Sequence, residues 1–127
     1  MTTNNITVIY KAPAREACIL TISNDLSSYQ NLVGGYIETV PLFTWYHDGY
    51  VHHVIMIVNE EGCLLGLPTQ TVFGMKIAGP AVICELKWDH VERMDDFTSI
   101  HRETVRLIRK TMPVRKERGF ISCDETL

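Results

Sequence analysis

The sequence predicts an α+β fold: a small, mostly antiparallel sheet of about five strands, one short helix and a longer C-terminal helix. Up to residue 86, apolar residues cluster in short β-branched and aromatic segments, and beyond residue 95 they recur at helical spacing. A chain of 127 residues is long enough for one domain with its own core. We expect a single domain, with its core at about 5–90, the long helix at about 96–112 and a polar tail at 113–127.

Five segments are rich in β-branched and aromatic residues and are bounded by turn residues, as strands are. They cover residues 6–10, 17–23, 36–40, 50–58 and 81–86. Pro41 is expected to end the third strand, because proline cannot donate to a strand ladder. The following LFTWYHDGY and the later LPTQTVFG are expected to be loops, while NEEG is expected to turn the chain into an extended CLLG.

The stretch LVGGYIETV places two glycines between a helical pattern and a strand pattern. Asp25 is a candidate N-cap, and apolar residues follow at the spacing of a short amphipathic helix. Gly34 suits the left-handed position that often ends a helix. Gly35 would let the chain reverse closely before Tyr36. A phosphate-binding loop is disfavoured, because such loops lead into a helix and a strand follows here.

The C-terminal pattern predicts a helix capped by Asp96, running to Met112 and stopped by Pro113. Its apolar face would comprise Phe97, Ile100, Thr104, Leu107, Ile108 and Met112. Another face would carry a row of arginines, at positions 102, 106 and 109. Residues 1–101 hold 5 Lys/Arg against 11 Asp/Glu, whereas residues 102–118 hold 7 basic groups against 2 acidic ones. The basic segment is therefore expected to attract an anion or the acidic body of a second copy.

The histidines and cysteines predict neither a metal site nor a cofactor. His52 and His53 are adjacent in a predicted strand and should point to opposite faces, so one ion cannot easily bind both. Structural or hydrogen-bonding histidines are the simpler interpretation, and the four cysteines show no CxxC spacing. No signature for nucleophilic or acid–base catalysis surrounds Cys63, Glu38 or the Glu60–Glu61 pair, so an enzyme is not predicted.

The order LVGGYIETV, then VNEEGCLLGLP, then GPAVI resembles a family of domains of unknown function from phages and mobile elements. The resemblance covers about residues 5–87. It differs at Gln70, where many relatives have Asn, and in the added basic C-terminal segment. It implies a small α/β domain of phage or mobile-element origin and supplies no catalytic residues.

These observations favour a non-enzymatic protein that sequesters a small anionic nucleotide signal of bacterial immunity. Arginines can fork onto phosphate, and aromatic rings can stack on a base. The alternatives are a protein-binding inhibitor or adaptor that uses the basic helix, and a small nucleotide hydrolase. The candidate ligand-binding residues are Tyr36, Trp45, Tyr46, Pro68, Gln70, Arg102, Arg106, Arg109 and Lys110.

The partners follow from charge and hydropathy. A net charge of −3 makes duplex nucleic acid an improbable partner. No apolar run is long enough to span a membrane, and MTTNNITVIY lacks the pattern of a signal peptide, so a cytoplasmic protein of the host bacterium is predicted. The wide apolar stripe of the long helix predicts a homodimer or higher oligomer, with ligand sites between one copy's arginines and another's loop around Trp45, Tyr46 and Pro68.

Overall fold

The computed structural model describes residues 4–93 and 96–116. Within these ranges the chain forms nine strands and three short helices. In chain order they are β1 Asn5–Lys11, β2 Ala17–Ser23, α1 Leu26–Val33, β3 Ile37–His47, β4 Tyr50–Asn59, α2 Gly62–Leu65, β5 Thr69–Val72, β6 Met75–Ala78, β7 Ala81–Leu86, β8 Phe97–Thr98, α3 Arg102–Ile108 and β9 Val114–Arg115. The part of the polar tail that follows residue 116 lies outside the described residues.

Strands dominate the fold. Seven of them form one sheet in the order β3-β4-β7-β1-β2-β9, with β8 paired to β7, and β5 and β6 form a separate hairpin. The main sheet is mixed, because β9 runs parallel to β2 while the other pairs are antiparallel. The predicted α+β class, with about five strands and a long C-terminal helix, is therefore wrong.

Both faces of the sheet are covered, which explains why β4 and β7 are apolar almost throughout. On the first face α1 packs Tyr29 and Val33 against the sheet, and Tyr29 meets Phe97 edge to face with ring centroids 5.1 Å apart. On the second face α3 and the β5–β6 hairpin pack against the sheet through residues such as Val72 and Ile108. The candidate site described below lies at one end of this second face.

The predicted helix at 96–112 is the largest error. Its first residues are extended, because Phe97 pairs with Leu86 in the sheet and the Ile100 N–H donates to the Thr7 carbonyl at 2.9 Å. Asp96 does not cap a helix. Its carboxylate instead accepts the backbone N–H groups of Glu92 and Arg93 at 2.7 and 2.8 Å, which helps to lower the pKa of its carboxyl group.

Helix α3 spans only seven residues, Arg102–Ile108, and His101 is its N-cap. The N–H groups of Thr111 and Met112 both bond the Ile108 carbonyl, so the helix closes in a final turn before Pro113. Its buried apolar residues, Val105 and Ile108, are 7% and 0% exposed and face the chain's own sheet. The wide apolar stripe that favoured an interface between copies is therefore absent from α3.

Three predicted loops or strands are also corrected. Strand β3 continues past Pro41 to His47, with a register shift between Pro41 and Phe43. It is an edge strand, where a proline is tolerated because it need not donate to a neighbour. The segment expected to be a loop at 67–74 contributes β5 to a hairpin, and Cys63-Leu64-Leu65 forms the helical turn α2 rather than a strand.

The two glycine-containing motifs meet at one side chain. The Asn59 side chain donates to the Val33 carbonyl at 3.1 Å and accepts the Glu61 N–H at 2.7 Å. It thereby links the end of α1 to the turn after β4. Gly34 is left-handed, with φ 84°, and its N–H bonds the Gln30 carbonyl, so the predicted C-cap is confirmed. At Gly35 a Cβ would lie 2.9 Å from the Asn59 amide nitrogen, which explains the second glycine.

We expect Gly34→Ala to destabilise the protein by about 1 kcal/mol, because alanine is strained at positive φ. An added Cβ would lie 4.0 Å from its nearest neighbour, so the loss measures backbone strain and not a collision. Urea denaturation followed by circular dichroism gives the free energy of unfolding. Ser27→Ala, on the exposed surface of the same helix, is the control and should change it by less than about 0.5 kcal/mol. Equal stability of wild type and Gly34→Ala would contradict the strain at this cap.

Candidate functional site

Four rings gather at one end of the second face of the sheet. We call Trp45, His47, His52 and His101 the imidazole cluster. Trp45 stacks on His47 with ring centroids 5.0 Å apart and lies 5.4 Å from His52. The His52 and His101 rings are 5.0 Å apart, and His47 lies 6.4 Å from each of them. Aromatic and imidazole faces are thus concentrated in a small region.

The β3–β4 hairpin brings three of these rings together. Asp48 and Gly49 both have positive φ, as the tight turn between two twisted strands requires. The resulting register sets Trp45 opposite His52 and His47 opposite Tyr50. Because side chains alternate along a strand, all four project from the same face. Tyr50 is 71% exposed and extends this aromatic surface towards solvent.

A buried carboxylate connects the hairpin to the C-terminal segment. Glu85, on β7, is only 5% exposed. Its Oε1 lies 2.8 Å from His52 Nδ1, and its Oε2 accepts the backbone N–H of His101 at 2.8 Å. On the other side, Trp45 Nε1 donates to Thr104 Oγ1 at 3.1 Å. These bonds fix His101 and the start of α3 against the sheet.

The hydrogen bonds assign the tautomers that His52 and His101 adopt when their imidazoles are neutral. An ionised carboxylate can only accept, so a neutral His52 carries its proton on Nδ1 and presents a bare Nε2. His101 Nδ1 accepts the Glu103 backbone N–H at 3.1 Å, so His101 carries its proton on Nε2. Neither Nε2 has a hydrogen-bond partner among the described residues, and no buried side-chain nitrogen or oxygen there lacks one. Both Nε2 atoms are therefore open to solvent or a ligand.

Basic residues follow His101 of the imidazole cluster along the chain. Arg102 follows His101 directly, is exposed, and forms no hydrogen bond or ion pair within the described residues. Arg106 lies one turn further along α3 and pairs with Glu103 at 3.3 Å on the surface. Arg109 is committed elsewhere, since its guanidinium donates twice to the Val114 carbonyl, at 3.1 and 2.9 Å. Lys110 is exposed beyond the end of α3.

The remaining predicted ligand residues do not join this site. Tyr36 is exposed just before β3, at the opposite end of that strand from Trp45. Tyr46 is exposed beside Trp45 but points to the other face. Pro68 leads into the β5–β6 hairpin. Gln70 has a structural role, because its amide bonds the carbonyls of Lys11 and Gly79, both at 2.9 Å.

Two neighbouring grooves lie on the first face of the sheet. One of about 300 Å³ is lined by residues such as Pro41, Leu86 and His53, and it adjoins a second through His53, Asp89 and His90. Hydrogen bonds to Asp89 and Glu92 raise the pKa of His90. These acidic groups at the rim disfavour an anionic ligand, so we place the candidate site at the imidazole cluster instead. His52 and His53 do point to opposite faces, as predicted.

The described residues contain no group of three or more His, Cys, Asp or Glu side chains arranged to hold a metal ion. The tautomer of His101 agrees with this, because an Nε2 that carries a proton cannot ligate a metal. No helix in the same part of the chain is long and apolar enough to cross a membrane.

Sequence reasoning missed four members of the site. They are His47, His52, Glu85 and His101. His52 was interpreted as a structural or hydrogen-bonding residue, His101 was not singled out, and Glu85 stands in an apolar strand without any local signal. A charged residue in the middle of AVICEL was the one available clue, because a glutamate in a central strand must be paired when it is buried.

Comparison with known proteins identifies the family. No curated protein and no solved structure matches the chain. One family model, described as a domain of unknown function (DUF3846), matches residues 6–112. The match extends beyond residue 87, where the sequence resemblance to phage and mobile-element domains ended, and includes α3 and the imidazole cluster. The chain therefore belongs to the DUF3846 family of domains of unknown function.

Proposed function

We propose that this protein binds and sequesters a small anionic nucleotide at the imidazole cluster, without turning it over. One observation carries the proposal: the stacked rings include His101, and the next residue, Arg102, is exposed and has no hydrogen-bond or ion-pair partner within the described residues. A nucleotide combines a flat ring with a phosphate, so its two parts match the two parts of this surface.

The ring surface suits a base. Trp45, His47 and Tyr50 lie on one face of the hairpin, and stacking of a base on an aromatic side chain contributes about 1–3 kcal/mol. His47 and Tyr50 lie nearer solvent than His52, which is 8% exposed. A base could therefore stack at the hairpin tip with one edge directed inward.

The basic side chains suit the phosphate. Arg102 has no competing partner in the described part of the chain, and the pair between Arg106 and Glu103 is exposed. Surface pairs of this kind contribute little to stability, so Arg106 can exchange its carboxylate for a phosphate at low cost. A guanidinium forms two parallel hydrogen bonds with a phosphate, which a lysine cannot do.

In this proposal the nucleotide is a signal of bacterial immunity, and the protein that sequesters it is of phage or mobile-element origin. The proposal is supported by the resemblance of the LVGGYIETV and NEEG motifs to domains from such elements. Incubation with cyclic dinucleotides and ADP-ribose-type signals, followed by denaturation and chromatography, should release the captured nucleotide intact. Release of a cleaved product would instead indicate a hydrolase, and a stoichiometric protein recovered without nucleotide would indicate an adaptor.

We expect the double variant Arg102→Ala/Arg106→Ala to lower the affinity for a captured nucleotide by at least about tenfold, because two charge-assisted contacts to phosphate are lost. Isothermal titration calorimetry measures the affinity. The free energy of unfolding should change by less than about 1 kcal/mol, since both side chains are exposed.

The matched control for this variant is Lys76→Ala/Lys116→Ala, which removes two exposed positive charges away from the imidazole cluster. It should leave the affinity nearly unchanged at physiological salt. Full capture by the arginine variant, or an equal loss in both double variants, would refute a specific phosphate contact at Arg102 and Arg106.

The homodimer or higher oligomer remains a prediction. The apolar stripe of the C-terminal helix no longer supports it, because the apolar residues of α3 face the sheet of the same chain. All parts of the proposed site come from one chain, so binding does not require a second copy. Light scattering at micromolar concentration, with and without nucleotide, measures the assembly directly.

A further inference from the structure

We propose that the imidazole cluster reads the base, and selects adenine or cytosine over hypoxanthine and uracil, in which a carbonyl oxygen replaces the exocyclic amine. This inference rests on the proposed function and specifies its ligand class. It follows from the complementary tautomers of His52 and His101, whose rings lie 5.0 Å apart. One of them offers a hydrogen-bond acceptor and the other offers a donor.

The acceptor is fixed by the fold. Glu85 holds the proton of His52 on Nδ1, so Nε2 of the neutral ring can only accept. Glu85 cannot turn away, because its second oxygen is held by the His101 N–H at 2.8 Å. The buried carboxylate therefore acts as a positioning group that sets which ligand atom His52 can bind.

The donor is fixed by helix capping. The Glu103 N–H occupies His101 Nδ1, which leaves the N–H of Nε2 for a ligand. His101 and His52 thus demand a ligand edge that carries a donor beside an acceptor. Nucleobase edges have this pattern, whereas ionised phosphate groups, which only accept, do not.

The difference in burial between His52 and His101 sets the orientation of the base. His52 is 8% exposed, whereas His101 is exposed at the rim. The atom that projects furthest from the ring of a base must therefore reach the acceptor, His52 Nε2. In adenine and cytosine the projecting group is an exocyclic amine, which donates. In hypoxanthine and uracil the corresponding group is a carbonyl oxygen, which would meet the lone pair of His52.

The rings around the two nitrogens support this reading. Trp45 lies 5.4 Å from His52 and 5.0 Å from His47, so the acceptor sits beside aromatic faces. Reading a base edge by hydrogen bonds while stacking it on aromatic side chains is a common way for proteins to recognise an unstacked base. Leaving a recessed acceptor unpaired is costly, which makes the contact selective.

Calorimetry at pH 8 with the full-length protein tests the inference. AMP and CMP should bind at least about tenfold more tightly than IMP and UMP, because a base with a carbonyl oxygen in place of the amine leaves His52 Nε2 without a donor. Purine riboside 5′-monophosphate has no exocyclic amine and no added bulk, and its affinity should be lower than that of AMP by a similar factor. Equal affinities for AMP and this analogue would overturn the inference.

A protein variant tests the donor independently. His101→Asn should keep the helix cap, since asparagine is a good N-cap, but it removes the Nε2–H. It should weaken AMP binding by about tenfold. In the wild type, one of the two analogues 1-deaza-AMP and 7-deaza-AMP lacks the ring nitrogen that accepts from His101, and it should bind more weakly than AMP by the same factor. In the variant, that same analogue should bind as tightly as AMP.

The outcomes separate the two proposals. If none of the four nucleotides binds, the proposed function fails and the base-reading inference fails with it. If they bind with equal affinity, matched by ribose 5-phosphate, the phosphate contact stands and base reading is refuted. If the affinity losses caused by His101→Asn and by the deaza analogue add together, the donor role of His101 would be refuted, while the acceptor role of His52 would stand.

Discussion

Gly62→Ala is expected to destabilise the protein by about 3 kcal/mol, near the upper end of the usual cost of overpacking. A Cβ at this position would lie 2.2 Å from the Ala78 carbonyl oxygen, which belongs to the backbone of β6 and cannot rotate away. The turn cannot shift freely either, because the Leu67 N–H bonds the Gly62 carbonyl at 3.0 Å. Urea denaturation monitored by circular dichroism gives the change in the free energy of unfolding.

Gly66→Ala, in the same turn, is the matched control. Gly66 has φ 70°, but an added Cβ would meet nothing within 4 Å, so its cost is backbone strain of about 1–2 kcal/mol. The difference between the two variants isolates the collision with the strand. Equal losses at Gly62 and Gly66 would show that the turn relaxes and that β6 does not constrain it.

The strands were predictable where one rule decided the outcome. Residues 50–58 and 81–86 are apolar almost throughout, and strands buried on both faces have this composition. The short helix was predictable for a different reason, since its caps are local. Asp25 accepts the Ser28 N–H at 2.8 Å, and Gly34 takes the left-handed position. In each case the decisive interaction lies within a few residues of the pattern that indicated it.

The C-terminal segment was not predictable in this way. Phe97 and Ile100 have helical spacing, yet Phe97 contacts α1 on one face of the sheet and Ile100 packs on the other. This division requires extended backbone, and the hydrogen bonds that impose it come from Leu86 and Thr7, distant in sequence. Tertiary pairing thus overrides local helical periodicity, which is a weak prior.

The candidate site also depends on contacts between residues that are distant in sequence. Arg102 and Trp45 could be proposed from their chemistry alone. The partnership of His52 with Glu85 joins residues 33 positions apart, and it depends on the register of β4 against β7, in which Val54 lies opposite Glu85. A single sequence contains no local pattern for that register. The tautomers, and hence the proposed preference for a base, follow only once the pairing is known.

Glu85→Ala is expected to destabilise the protein by about 3–5 kcal/mol, because two buried donors lose their acceptor, at about 1–3 kcal/mol each, and a cavity is left behind. The variant leaves His52 Nδ1–H and the His101 N–H unpaired in a region that excludes water, and it opens a cavity in β7. We also expect the start of α3 to loosen, because Glu85 is the group that holds His101 to the sheet. Chemical denaturation measures the stability, and amide hydrogen exchange at residues 101–105 measures the loosening.

Two variants make this result specific to the buried carboxylate. Glu103→Ala removes a glutamate that pairs with Arg106 on the surface, and it should cost less than about 1 kcal/mol. Glu85→Gln keeps the size of the side chain and one acceptor oxygen, so its loss should lie between those of the two alanine variants. Faster exchange in Glu85→Ala but not in Glu103→Ala would confirm that Glu85 anchors α3. Similar losses in both alanine variants would mean that His52 and His101 are positioned by packing alone, and the assigned tautomers would lose their structural basis.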